Sequence, residues 1–146
     1  MRFHYHLQKI VDLKTTQKTH AEWMLSKAVG VLREEESSLT MLYEQKTKLQ
    51  EELQEQSLST TISSMRTAQF YISRLDERIR NQQGQIQAAQ SEVEHTKNVL
   101  QNKMQDEKVW SMTREKAKLM FHSQLLKKEQ DELDEMATVR FVNTAL

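Results

Sequence analysis

Apolar residues recur every seven positions along two stretches of the chain, and the pattern fails between residues 54 and 64. Counting from Val11 gives Val11, Lys18, Leu25, Leu32, Leu39, Lys46 and Leu53, with Lys14, Ala21, Ala28, Glu35, Leu42 and Leu49 three positions later; nine of these thirteen are apolar. The second series runs Met65, Ile72, Ile79, Ile86, Val93, Leu100, Glu107, Arg114 and Phe121. Its companions are Ala68, Leu75, Gln82, Ala89, Thr96, Lys103, Trp110 and Ala117, and twelve of the seventeen are apolar. A stripe this narrow at this period is a coiled-coil seam, not the broad face of a helix buried in a globular core. Between the two series, six hydroxyl residues crowd the segment from Gln54 to Ser64. Their side chains bond to nearby backbone in competition with the helix, so a turn is expected there. Ser59, Thr60, Thr61 and Ser63 are all able to cap the helix that follows.

The expected fold is all-α: two long helices forming an antiparallel coiled-coil hairpin, the second longer than the first. Residues 1–146 form one hairpin, with helix one over about 5–56, a turn over about 57–63 and helix two over about 64–141. A reversal near residue 60 brings Ile10 near Trp110 and Leu25 near His95. At about 1.5 Å per residue, helix one is roughly 75 to 80 Å long and runs out near residue 115 of helix two. The remainder, about Arg114 to Phe141, still carries Phe121, Leu125, Leu126, Leu133, Met136 and Phe141. Apolar residues on an unpaired helix imply a partner that covers them. Sparse apolar pairing after Leu100 gives the expectation that this overhang frays in isolation.

Composition narrows the chemistry. Of 146 residues, 37% are hydrophobic and 29% charged, with 2 Gly, no Pro and no Cys, a set that favours few, long helices. Lysines and arginines balance aspartates and glutamates at 21 each, so the charge balance implies neither nucleic acid nor an anionic membrane surface. Without cysteine, disulfides, thiolate nucleophiles and zinc–thiolate sites drop out, which fits a reducing compartment. No run is apolar enough to insert into a membrane, and the N-terminus lacks the apolar core of a secretory signal, so a cytoplasmic protein is expected.

A two-helix hairpin has no enclosed pocket in which polar groups converge, so no enzyme activity is expected. Glu34, Glu35 and Glu36 imitate a metal site in sequence, but consecutive helical residues point about 100° apart and cannot close on one ion. His4 and His6 also face apart on a helix, whereas an extended N-terminus would let both imidazoles reach one metal, and neither Gly30 nor Gly84 sits in a phosphate-cradling motif. No cofactor and no metal are expected. Met112, Met120 and Met136 lie in or beside the overhang, where flexible thioethers suit a partner contact as well as helix filling. Trp23, Tyr43, Phe70 and Tyr71 fall outside both seams. Antiparallel pairing carries Tyr43, Phe70 and Tyr71 toward the hairpin tip, either as a docking patch or as a tip stabilised by its own aromatics.

The opening Phe3-x-Tyr5-x-Leu7-Gln8-Lys9-Ile10-Val11-Asp12-Leu13-Lys14 resembles the start of FliJ-like flagellar export proteins. The segment Phe70-Tyr71-Ile72-Ser73-Arg74-Leu75-Asp76-Glu77-Arg78-Ile79 resembles that family's second-helix opening, and Glu132 to Phe141 resembles its acidic helical tail. The resemblance implies a stalk seated in the hexameric flagellar export ATPase, as the gamma subunit is seated in the rotary F-type ATPase. It further implies contacts with the cytoplasmic domain of the export gate and with substrate chaperones, a role in motility, and peripheral association with the inner face of the cell membrane. Carried onto this chain, the gate-facing candidates at the tip are Ser38, Leu42, Tyr71, Leu75 and Gln82, joined by Tyr43 and Phe70 from the aromatic argument. Gln45 and Leu49 stand where some relatives carry Tyr, which weakens that transfer. The ring-facing candidates, Phe121, Leu125, Leu133 and Met136, come from the overhang argument, and the isolated chain is expected to be a monomer. Two alternatives share the pattern: a structural homodimer of parallel chains jointed at residues 57–64, and the stalk or adaptor of a related injection-type secretion system. Lys14, Lys18, Glu35 and Lys46 suit either an intramolecular register or an oligomer.

Overall fold

A computed structural model describes residues 2–145 apart from Ser57 and Thr60. Two helices account for nearly all of it: α1, Gln8–Gln56, and α2, Ile62–Ala145. They pair as an antiparallel coiled-coil hairpin in which α2 is the longer. All thirteen positions of the first seam series and all seventeen of the second are buried or half-buried, so the counted register is the packed one. The core is one side chain wide. Its most enclosed members include Val11, Ala21, Ala28, Leu42, Ile72, Ile79, Ala89 and Val93, and among the described residues no large side chain is fully enclosed. Thr96 is the buried polar exception, and its hydroxyl donates to the carbonyls of Glu92 and Val93 in its own helix.

The helix ends correct the expected boundaries. α1 starts at Gln8 and not near residue 5, because the Gln8 N–H donates to the Tyr5 carbonyl at 3.1 Å while Phe3 and Tyr5 stay outside the helix as an approach segment. α1 ends at Gln56, whose carbonyl accepts from the Ser59 N–H at 3.0 Å. Among the four hydroxyl residues able to cap α2, Thr61 does so: its Oγ1 accepts from the Ser64 N–H at 3.2 Å, and its own hydroxyl donates to Ser64 Oγ at 3.0 Å. Thr60, another of the four, and Ser57 lie outside the described residues. α2 also runs past the expected end near residue 141, as far as Ala145.

The chain forms two compact units, His20–Gln101 and Met1–Thr19 with Asn102–Leu146. In the first, the turn closes a hairpin whose polar seam residues find partners across the pair. Lys46 Nζ lies 2.6 Å from Asp76 Oδ1, and Gln82 Nε2 donates to the Glu35 carbonyl at 2.9 Å and also to its carboxylate. In the second, the N-terminal segment and the start of α1 lie against α2. Lys14 reaches Asp106 at 2.7 Å, Lys18 reaches Glu107 at 3.0 Å, and Arg114 Nε donates to Gln8 Oε1 at 2.7 Å.

Gly30 and Gly84 both sit inside helices with ordinary helical backbone and open space where a Cβ would go. Nothing in the packing requires them. Gly30→Ala and Gly84→Ala are each expected to raise unfolding stability by about 0.5–1 kcal/mol, and Thr61→Ala to lower it by about 1 kcal/mol, as read from urea denaturation followed by circular dichroism.

Candidate functional site

Two surfaces carry large apolar side chains that the seam leaves uncovered, one in each unit. Around the turn, Phe70 is 61% exposed and Tyr71 58% exposed. Their rings meet edge-on at 6.3 Å, and the Arg74 guanidinium lies 5.5 Å from the Phe70 ring centre. Tyr71 lines an open groove of about 860 Å³ together with Leu49, Leu75, Lys48, Arg74 and Arg78. Tyr43 is exposed too, but its hydroxyl accepts from Gln83 Nε2 at 3.0 Å, and it lines a neighbouring groove with Thr40, Thr47 and Lys48. The tip therefore presents two adjoining grooves that share Lys48, in place of a single aromatic cluster.

The other tip candidates differ in availability. Ser38 is exposed, Leu42 is buried, and Leu75 and Gln82 are half-buried, Gln82 being engaged with Glu35. Leu42 and Gln82 are thus occupied by the hairpin itself. Within the same unit Trp23 is exposed on α1, stacked with His20 at 6.1 Å and overlain by Lys27 Nζ at 5.4 Å. That ladder follows helical spacing of three and four residues and needs no partner to form.

In the other unit the approach segment changes the picture of the overhang. Phe3 packs on Phe121 with ring centres 5.5 Å apart and stacks on Tyr5 at 6.2 Å, while the Arg114 guanidinium lies 5.8 Å from the Phe3 ring. Tyr5 is only 8% exposed. Phe121 and Leu125 are half-buried, and every described side chain beyond Leu125 is exposed. The uncovered part of α2 thus begins after Leu125, not at Arg114, because a non-helical strap of about four residues prolongs α1 along the seam.

Leu133 and Met136 remain open, and Leu126 joins them. The seam register continued past Phe121 falls on Gln124, Lys128, Asp131, Glu135 and Thr138, all polar. Leu119, Leu126 and Leu133 keep a seven-residue spacing two positions out of phase with it, which places them roughly 200° around the helix. They are 69%, 66% and 61% exposed. The open apolar stripe of α2 is thus a second face, turned away from the α1 seam. Counting only one heptad series hid it, although its spacing stands in the sequence.

With this geometry in hand, the comparison with known families is decisive: the model of the flagellar FliJ protein matches residues 3–145. The chain belongs to the FliJ family. It is accordingly a coiled-coil protein associated with type III export, from a non-enzymatic structural and adaptor family. No curated protein gives a match. Among solved structures the fold is similar to that of the YscO homolog CT670 from Chlamydia trachomatis, with a TM-score of 0.70 and 20% identity over 94% of each chain. Among the described residues of this FliJ-family chain, no helix is long and apolar enough to cross a membrane.

Removing the Phe3 ring tests the strap. Phe3→Ala is expected to cost about 1 kcal/mol, the value of a partly buried aromatic, and to speed amide exchange over residues 114–125 while leaving 65–100 unchanged. Equal exchange over 114–125 in both proteins would show that the strap does not hold this part of the seam.

Proposed function

We propose that this chain is a stalk and adaptor of the flagellar type III export apparatus, engaging the hexameric export ATPase through α2 beyond Leu125 and the cytoplasmic domain of the export gate through the hairpin tip. In this reading it works in the cytoplasm, peripherally associated with the inner face of the membrane through the apparatus, and helps cycle substrate chaperones in flagellar assembly and motility. The observation that carries it is the unaccompanied stretch of α2, residues 126–145, which keeps Leu126, Leu133 and Met136 open to solvent. A helix that extends past its only intramolecular partner yet retains large apolar residues is suited to entering a ring that supplies the missing cover. The tip surface of Tyr43, Phe70 and Tyr71, with Ser38 nearby in sequence, supports a separate contact. Leu42 and Leu75 act there through hairpin stability.

The likeness to a YscO homolog favours one further reading, in which the same stalk serves an injection-type apparatus. The two differ in the ATPase that is bound.

Size-exclusion chromatography with mass detection, of the chain mixed with the assembled flagellar ATPase of its own organism, tests the proposal. Co-elution is expected, with loss on removing residues 126–145 and retention in Phe70→Ala/Tyr71→Ala. That tip variant is expected to lose binding to the gate domain by at least about tenfold, since exposed aromatics of this kind dominate small interfaces. A chain that ignores the ring, or binds it equally without residues 126–145, would sink the stalk reading; binding only to an injection-type ATPase would favour the alternative.

A further inference from the structure

The seam is not of one kind along the hairpin. In the unit His20–Gln101, four of twenty-one seam positions are polar: Glu35, Lys46, Gln82 and Thr96. In the other unit five of nine are polar: Lys14, Lys18, Lys103, Glu107 and Arg114. Burial divides at the same place. Seven of the nine enclosed apolar residues lie in the first unit, the second encloses only Tyr5 and Val11, and beyond Thr96 no described residue of α2 is buried.

We propose that residues 2–19 are a latch, which releases from α2 in one step with the break between Thr19 and His20, while residues 20–101 stay paired. Each of its anchors is weak. The Lys14–Asp106 pair at 2.7 Å and the Lys18–Glu107 pair at 3.0 Å are partly exposed, and such pairs contribute little in water. The Tyr5 hydroxyl and the Gln17 side-chain oxygen are buried with no hydrogen-bond partner among the described residues, so seating the segment costs desolvation that release returns. Against this stand the burial of Val11 and Tyr5 and the Phe3–Phe121 ring contact.

The anchors are spread over the whole segment, and Gln8–Thr19 lies in one stretch of α1, so lifting one anchor lifts its neighbours. The break falls where packing tightens: Ala21, at 4% exposed, is the most enclosed apolar residue described. α2 does not need the latch to stay helical, since it continues as helix past Leu125 with every described side chain exposed. Release therefore bares Trp110, Ala117 and Phe121 along the seam of α2 and leaves the aliphatic hairpin closed. None of this depends on which protein the chain binds.

Native-state amide exchange of the full chain at rising, sub-denaturing urea tests the latch. Amides 12–19 are expected to share one rate, at least about a hundredfold above that of 25–53, with a step at His20 and a small urea dependence. Lys14→Glu, which sets a second carboxylate beside Asp106, is expected to speed 12–19 at least about threefold and to leave 65–100 unchanged. Tyr5→Phe keeps the ring and removes the partnerless hydroxyl, so it is expected to slow 12–19. Leu75→Ala, in the other unit, is expected to speed 25–53 and not 12–19. Protection that declines gradually from Leu25 toward Gln8 is end fraying and would overturn the proposal. So would equal rates over 12–19 and 25–53, or a response of 12–19 to Leu75→Ala as large as that of 25–53.

Discussion

Everything in this molecule depends on a seam one side chain wide. Two helices bury chiefly the stripe along which they touch, so each seam residue matters to the pairing, and large apolar residues far from the stripe, such as Phe70, Leu126 and Leu133, are left to solvent. Aliphatic seam residues such as Ile72, Ile79 and Val93 supply the favourable energy, at about 1.5–3 kcal/mol for each side chain fully buried. The polar interruptions contribute little by that measure, because half-exposed ion pairs are worth about 0–1 kcal/mol. Their effect is on register. Sliding α1 against α2 by one heptad would separate Lys18 from Glu107, Lys46 from Asp76 and Glu35 from Gln82 together, while leaving most aliphatic contacts replaceable.

This resolves an ambiguity that the sequence alone holds open. Lys14, Lys18, Glu35 and Lys46 interrupt the first seam in a way equally suited to an oligomer. Each finds its partner within the chain, which makes the hairpin self-sufficient along its length. A jointed parallel homodimer would have to break all four sets of contacts. Outside the seam, exposed apolar surface lies at the aromatics of the tip and on the open face of α2.

The fold was legible in the sequence because a coiled coil writes its packing as a period. Position after position, the counted series are the buried or half-buried ones. What periodicity could not show is what lies outside helices. Phe3 and Tyr5 belong to no heptad, and nothing in a seven-residue count announces that a short strap folds onto Phe121. The hydroxyl-rich turn was visible, but only hydrogen-bond geometry chooses Thr61 over its neighbours as the cap. Of the candidate contact residues, Leu133, Met136, Phe70 and Tyr71 are exposed, whereas Phe121 and Leu125, assigned to the overhang because helix one was expected to run out near residue 115, are half-buried. In fact the seam turns polar at Gln124, Lys128 and Asp131, and the remaining leucines sit on the opposite side.

That change of face has an energetic consequence. If the uncovered apolar residues lay on the seam line, a partner would compete with Phe3 and Tyr5 for the same stripe, and binding would first have to displace the strap. With Leu126 and Leu133 nearly opposite Phe121, both sides of α2 can be occupied at once, so a partner gains apolar contact without losing any that the chain already makes. The helix beyond Leu125 is continuous with a long packed segment, which spares it the nucleation cost that makes short isolated helices marginal in water. The open stripe of Leu119, Leu126 and Leu133 offers less apolar contact than a full heptad seam, so a contact made through it alone is weaker than the hairpin's own pairing.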